Sequence, residues 1–248
     1  MNGNGGGGGL EAALHGIDLE AFRREAPIWR FGTGRAEVVG CDVRINVRAL
    51  AKRLGQPDLL APANAARVSA ALAEGLLKSF LHPQAALRYR HFVHVPAGLL
   101  ALPGTWALLD GLPVASRYTL VLTLSLNRAR QRDLDAVIRP LAEMGVCVCL
   151  AGIDFATMPF ARVPPGVVWL RGPVTPATDL LRAEAALAAL APVQAIAEPG
   201  EEELALQIAL AAGFLHTAGP AADEASQRLH GHPGSMAPRW QAGQAGAH

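Results

Sequence analysis

The chain predicts an α/β domain built on a mainly parallel sheet, and three observations carry that expectation. Short apolar runs recur along its 248 residues, longer Ala/Leu-rich stretches with helical spacing fill the gaps between them, and 51% hydrophobic content suffices for a buried core. Strands separated by helices imply parallel neighbours, because each helix serves as the crossover that returns the chain to the same edge. The length suits one barrel of about 250 residues or two small domains, and one large domain is expected.

Residues 1–20 are read as a flexible N-terminal tail. Met1 to Gly9 is nearly all Gly and Asn, with no basic segment leading into an apolar one, so it is not a signal peptide. Strands are expected at Ala36–Ile45, His91–Val95, Leu120–Leu124, Val146–Leu150, Val167–Leu170, Val193–Ala197 and Gly213–His216. Between the first two, Val68, Leu72, Leu76 and Phe80 recur at four-residue steps and predict an amphipathic helix over Ala65–Leu81. Val95 to Leu109 is apolar, but Pro96 and Pro103 interrupt it and it is too short to span a bilayer. Leu134, Val137, Ile138 and Leu141 place one apolar face on a helix over Asp133–Met144. Two further helices are expected, Thr178–Leu190 behind Thr-Pro and Glu201–Ala212 behind Pro199-Gly200. Residues 221–248, rich in Gly, Ala, Gln, His and Pro, are read as a disordered tail. The domain itself is expected over residues 21–220.

Charge argues against two classes of partner. With 22 basic and 21 acidic residues the net charge is +1, which provides no overall field for nucleic acid or an anionic membrane. Cys41, Cys147 and Cys149 are odd in number, and Cys147 and Cys149 share one face of a strand rather than forming a CxxC knuckle. They read as structural thiols of a cytoplasmic protein. His230, His232 and His248 fall in the tail without accompanying ligands.

The most telling segment is Ile196-Ala197-Glu198-Pro199-Gly200-Glu201-Glu202-Glu203. An apolar strand delivers Glu198 to its tip, a turn follows, and a helix opens with acids at the end its dipole favours. An open doubly wound sheet and a closed barrel both satisfy the strand and helix rhythm. No GxGxxG or GxxxxGK[ST] follows any strand, so the usual nucleotide fingerprints of the open sheet are missing.

These acids resemble the "AEGVE" block of EAL-type cyclic-di-GMP phosphodiesterases, with Glu198 and Glu201 matching its two acids. The likeness spans roughly residues 25 to 220. Ala26-Pro27-Ile28, Gly32-Thr33-Gly34-Arg35 and Val39-Gly40 follow the family's opening block in order, and the signature triplet has become Asp42-Val43-Arg44. The resemblance selects a TIM-like (β/α) barrel of the EAL type.

It also implies a set of altered site positions. Asp42 keeps a carboxylate that is one methylene shorter, and Asn46 stands where the family has a phosphate-gripping Arg, with Arg44 and Arg48 nearby but out of register. His94 takes the place of a metal-ligating Asn, and Thr123 and Leu126 replace the two acids of the "LEITE" block. Ala151 and Gly152 replace the paired acids of "DDFG", with Asp154 two residues late. Trp169 and Arg171 replace the Lys and Asp of "LKID".

Two divalent ions held by such carboxylates activate water in this chemistry, so their loss predicts a catalytically degenerate domain. The expected role is non-enzymatic: a bacterial regulatory or scaffold protein acting on an unidentified protein partner, with no cofactor. The alternatives are a metal-free cyclic-di-GMP receptor using Trp169 and Arg171, which alternation places on one strand face, and a residual phosphodiesterase using Mg²⁺ or Mn²⁺. A site rebuilt from Asp42, His94 and Glu198, and an unrelated α/β protein, complete the readings.

Overall fold

A computed structural model of the protein describes residue 14 and residues 17–81, 89–125, 131–155, 163–190 and 192–230, with the side chains of 131–133 excepted. Eight strands close into a barrel in chain order: β1 (Arg23–Gly32), β2 (Arg35–Ile45), β3 (Arg90–His94), β4 (Leu120–Ser125), β5 (Cys147–Ala151), β6 (Val167–Pro173), β7 (Gln194–Glu198) and β8 (His216–Ala218). β2 through β8 are parallel neighbours, whereas β1 runs antiparallel to both β2 and β8. The closed sheet resolves the choice between barrel and open sheet.

Around it lie α1 (Val47–Leu54), α2 (Ala65–Ser79), α3 (Pro103–Asp110), α4 (Val114–Thr119), α5 (Gln131–Glu143), α6 (Leu180–Leu190), α7 (Glu203–Ala211) and α8 (Pro220–His230). The first of these starts at Asn46, whose Oδ1 accepts from Ala49 N at 3.1 Å and supplies the cap. In α3, Pro103 occupies the first turn, where its missing N–H costs nothing. Proline there starts a helix; it does not only interrupt an apolar run.

Alternation along the strands sorts two cores. Val43, Val93, Leu122, Val148, Leu170 and Ala197 belong to the outer core shared with the helices. Ile28, Phe92, Val121, Cys149, Trp169 and Ile196 fill the barrel interior. Trp169 sits edge-to-face with Phe92 at 5.4 Å and with His216 at 5.0 Å. Burial first, then Arg30, holds the His216 imidazole below its ordinary pKa.

Three expectations need correction. β1 was not anticipated as a strand. The run Gly213–His216 is mostly the end of α7: Gly213 has φ 92°, Phe214 N donates back to Ala209 O at 3.1 Å, and β8 starts only at His216. Residues 221–230, assigned by composition to a tail, form α8, in which Ala221, Ala222 and Ser226 are buried. Leu126, His232, His248 and residues 1–9 lie outside the described residues.

Asp223 fastens α8 to the barrel by accepting from Trp29 Nε1 at 2.7 Å. Burial raises its carboxyl above the ordinary value, and the Trp29 hydrogen bond opposes that shift. A carboxyl raised in the folded state costs stability above its folded pKa, and the cost disappears once the pH falls below the unfolded pKa. Asp223→Asn keeps an acceptor for Trp29. It is expected to remove part of the gain in thermal stability that the wild type shows on mild acidification, and equal pH slopes for the two proteins would contradict this.

Candidate functional site

The parallel strands β2 to β7 all point their C-terminal ends to one rim, the rim where barrels of this kind assemble chemistry. Inward residues one layer above Trp169 converge there: Asp42 from β2, Arg171 from β6 and Glu198 from β7. β2 and β6 face each other across the barrel. Arg171 spans the gap.

Its Nη1 donates to Asp42 Oδ1 at 2.5 Å and its Nη2 to Asp42 Oδ2 at 2.8 Å, a two-pronged pairing. Nη2 also donates to Glu198 Oε1 at 2.6 Å. The side chains of Arg171 and Asp42 are 5% and 8% exposed, and that of Glu198 is 34% exposed. Burial alone would lower the Arg171 pKa, but the hydrogen bonds and charge of Asp42, with the charge of Glu198, outweigh it and hold the guanidinium above the ordinary arginine value.

Arg44 joins from the same strand as Asp42. Its Nη2 lies 3.3 Å from Asp42 Oδ2 and its side chain is 67% exposed. Residues 42 and 44 share a face because side chains alternate along a strand. Arg44, set aside from sequence as out of register, therefore reaches the site, and alternation was the signal that could have found it. The four charges balance: two arginines and two carboxylates.

The other sequence candidates divide by position. Thr123 is buried and pairs in register with Cys149 across β4 and β5. Burial pushes the Cys149 thiol up to about 12, so it is a neutral lining group. His94 ends β3 in register with Thr123 and is exposed at the rim. Ala151 ends β5 opposite Arg171, and Gly152 follows with φ 84°. Glu201 is exposed in the turn after β7 and falls outside the Arg171 cluster.

Trp169 bears on the receptor alternative. It shares a face with Arg171, as alternation requires, but it lies in the barrel interior and is 3% exposed. It presents no free surface for a base to stack on. Arg171 in turn has both terminal nitrogens engaged by carboxylates. Asn46, in place of a phosphate-gripping Arg, is the α1 cap.

No protein-family model and no curated protein matches the chain. Solved structures do. The Bacillus subtilis YkuI protein, which has an EAL domain and was solved with cyclic-di-GMP and calcium, is 16% identical with a TM-score of 0.58, over 84% of this chain and 58% of that one. The FimX EAL domain is 18% identical with a TM-score of 0.55, over 86% and 94% of the two chains. The EAL domain of Mycobacterium smegmatis DcpA is 16% identical with a TM-score of 0.54, over 86% and 98%. This chain thus spans little more than half of YkuI but nearly all of the isolated EAL domains. The closed barrel with its antiparallel first strand is the fold of an EAL domain.

Proposed function

We propose that this chain is a catalytically silent EAL-like barrel, a regulatory or scaffold protein of bacterial cyclic-di-GMP-related signalling that works through a protein partner. The observation that supports this reading is the buried Arg171 guanidinium bridging Asp42 and Glu198 at the rim. A fixed cation stands where the remaining carboxylates meet.

The divalent ions that the fold implies do not fit this donor set. Hard cations need several oxygen ligands, and here both Asp42 oxygens accept from Arg171 while Ala151 and Gly152 have no side-chain oxygen. Thr123 is a weaker donor than a carboxylate. A metal at Asp42 would face a guanidinium within hydrogen-bond distance of the same oxygens, and the two cations would repel. The reading accordingly carries no metal-activated water and no phosphodiester hydrolysis.

Arg171 is also a poor phosphate ligand, because an incoming phosphate would have to displace two carboxylates from it. Among the described residues, no helix is long and apolar enough to cross a membrane.

The test is incubation of the full chain with cyclic-di-GMP and either Mg²⁺ or Mn²⁺, with products separated by chromatography and binding followed by calorimetry. The expected result is intact nucleotide in every condition and no binding that depends on metal. Metal-dependent cleavage that Glu198→Gln abolishes would overturn the proposal, and tight binding without metal would replace it with the receptor reading.

A further inference from the structure

A second polar cluster lies on the outer side of the barrel, under α2. Cys41 on β2 and His91 on β3 are register partners, and Glu25 lies on β1 two residues from Pro27, the partner of Cys41 on the other side. One ligand atom from each of Glu25, Cys41 and His91 falls within 4.8 Å of the other two. Cys41 and His91 are each 6% exposed, and Phe80 of the α2 cap packs edge-to-face on His91 at 5.5 Å. Glu25 is 35% exposed, which leaves an approach from solvent.

A further observation points to a ligand. His91 Nδ1 is buried and has no partner of ordinary hydrogen-bond geometry among the described residues, a position that a ligand would fill. Arg23 Nη2 forms an ion pair with one Glu25 oxygen, Oε1, at 2.6 Å, in contrast to Asp42, whose two oxygens are both engaged by a guanidinium. Arg23 itself is fixed over the Phe80 ring at 5.6 Å.

We propose that Glu25, Cys41 and His91 form a binding site for a borderline-soft divalent transition metal, with Zn²⁺ as the best match. One thiolate, one imidazole and one carboxylate make a mixed S, N and O donor set that zinc accepts tetrahedrally with a fourth position for water. Thiolate and carboxylate together balance the ion's charge, and Arg23 stays beside Glu25 as an outer partner. Burial, followed by the charge of Glu25, holds the Cys41 thiol protonated well above its ordinary value. Binding therefore releases the thiol proton to solvent as the sulfur–metal bond forms. The site is separate from the rim and independent of the proposed function: it joins three neighbouring strands beneath a helix, where a metal would tie β1 into the parallel part of the barrel.

Co²⁺ is the probe. Full-length protein stripped with a chelator is titrated with Co²⁺ and then challenged with Zn²⁺. The expected result is a near-ultraviolet thiolate-to-cobalt band that saturates at one equivalent and is bleached by Zn²⁺. Cys41→Ser should abolish the band with the far-ultraviolet circular dichroism unchanged, Glu25→Gln should weaken Co²⁺ binding by about tenfold or more, and Glu198→Gln should leave it unaltered. No band at excess Co²⁺, or a band that survives Cys41→Ser, overturns the site. Should Cys41→Ser fail to fold, an unchanged affinity in Glu25→Gln overturns it instead.

Discussion

Arg171→Met is expected to lower the unfolding free energy by about 3–5 kcal/mol, because it leaves a buried carboxylate without its counter-charge. Asp42 is the group stranded. Its side chain is 8% exposed, and Arg44, the other cation that reaches it, is mostly in solvent and held at 3.3 Å. Glu198 is a third exposed and can turn to water, so it adds less to the loss. The companion variant is Arg171→Met with Asp42→Leu, which removes the pair together. Replacing both partners of a buried ion pair by apolar groups is often neutral or stabilising, so the double variant should recover most of the lost stability. Urea denaturation of the two single variants and the double variant yields the coupling directly. If Arg171→Met costs under about 1 kcal/mol, the bridge is not structural, and Arg171 is free for another task.

The same bridge bears on the proposed function. A metal centre at the rim would draw the inward carboxylates together by binding between them. Here the guanidinium draws Asp42 and Glu198 together from within the chain. A barrel rim closed by its own side chains can keep its fold while the outer surface changes, and a fold alone does not fix an activity.

How much of this was legible in sequence follows from what each element buries. β4 and β5 carry no charge on either face, the inner one toward the barrel and the outer one toward helices, and β6 and β7 carry a single charge each at the rim, so these strands read as nearly continuous runs, while β2 is marked by its outer Cys41, Val43 and Ile45. β1 reads Arg-Arg-Glu-Ala-Pro-Ile-Trp-Arg-Phe-Gly, with charges at both ends and Pro27 in the middle, so no run marks it. α8 buries Ala and Ser, small residues that leave little hydrophobic signal, and depends on the long-range Trp29–Asp223 hydrogen bond. At the rim, Asp42, Arg171 and Glu198 could each be placed at a strand tip. Their union could not be read, because the Asp42–Arg171 contact joins opposite walls and depends on how the barrel closes. Arg44 was lost for a smaller reason: register against a family pattern was weighed above strand alternation. Glu25, Cys41 and His91 sit on three different strands, and no spacing along the chain announces them.

Gly172→Ala is expected to cost about 3 kcal/mol or more, at the top of the range for overpacking. Gly172 follows Arg171 on β6 and faces outward, where the segment after β5 crosses it. A Cβ there would lie 1.7 Å from the Ile153 carbonyl oxygen and 2.7 Å from its carbon. Those are backbone atoms, and Ile153 is pinned: its N–H donates to Arg171 O at 3.1 Å and its side chain is 2% exposed. The clash cannot be relieved by turning a side chain, so either β6 moves or the crossing segment lifts. Gly104→Ala in α3 is the control, since nothing lies within 4 Å of its added Cβ and a helical Gly→Ala change should gain about 0.4–1 kcal/mol. Thermal and urea unfolding of the two variants should move in opposite directions. Movement at Gly172 also reaches the rim, because Arg171 is its neighbour and Ala151 pairs with Arg171 across β5 and β6. Loss of the Arg171 bridge would add to the clash, and the two substitutions combined should therefore cost less than their sum. Additive losses from Gly172→Ala and Arg171→Met would mean that the crossing segment and the bridge are independent features of the barrel.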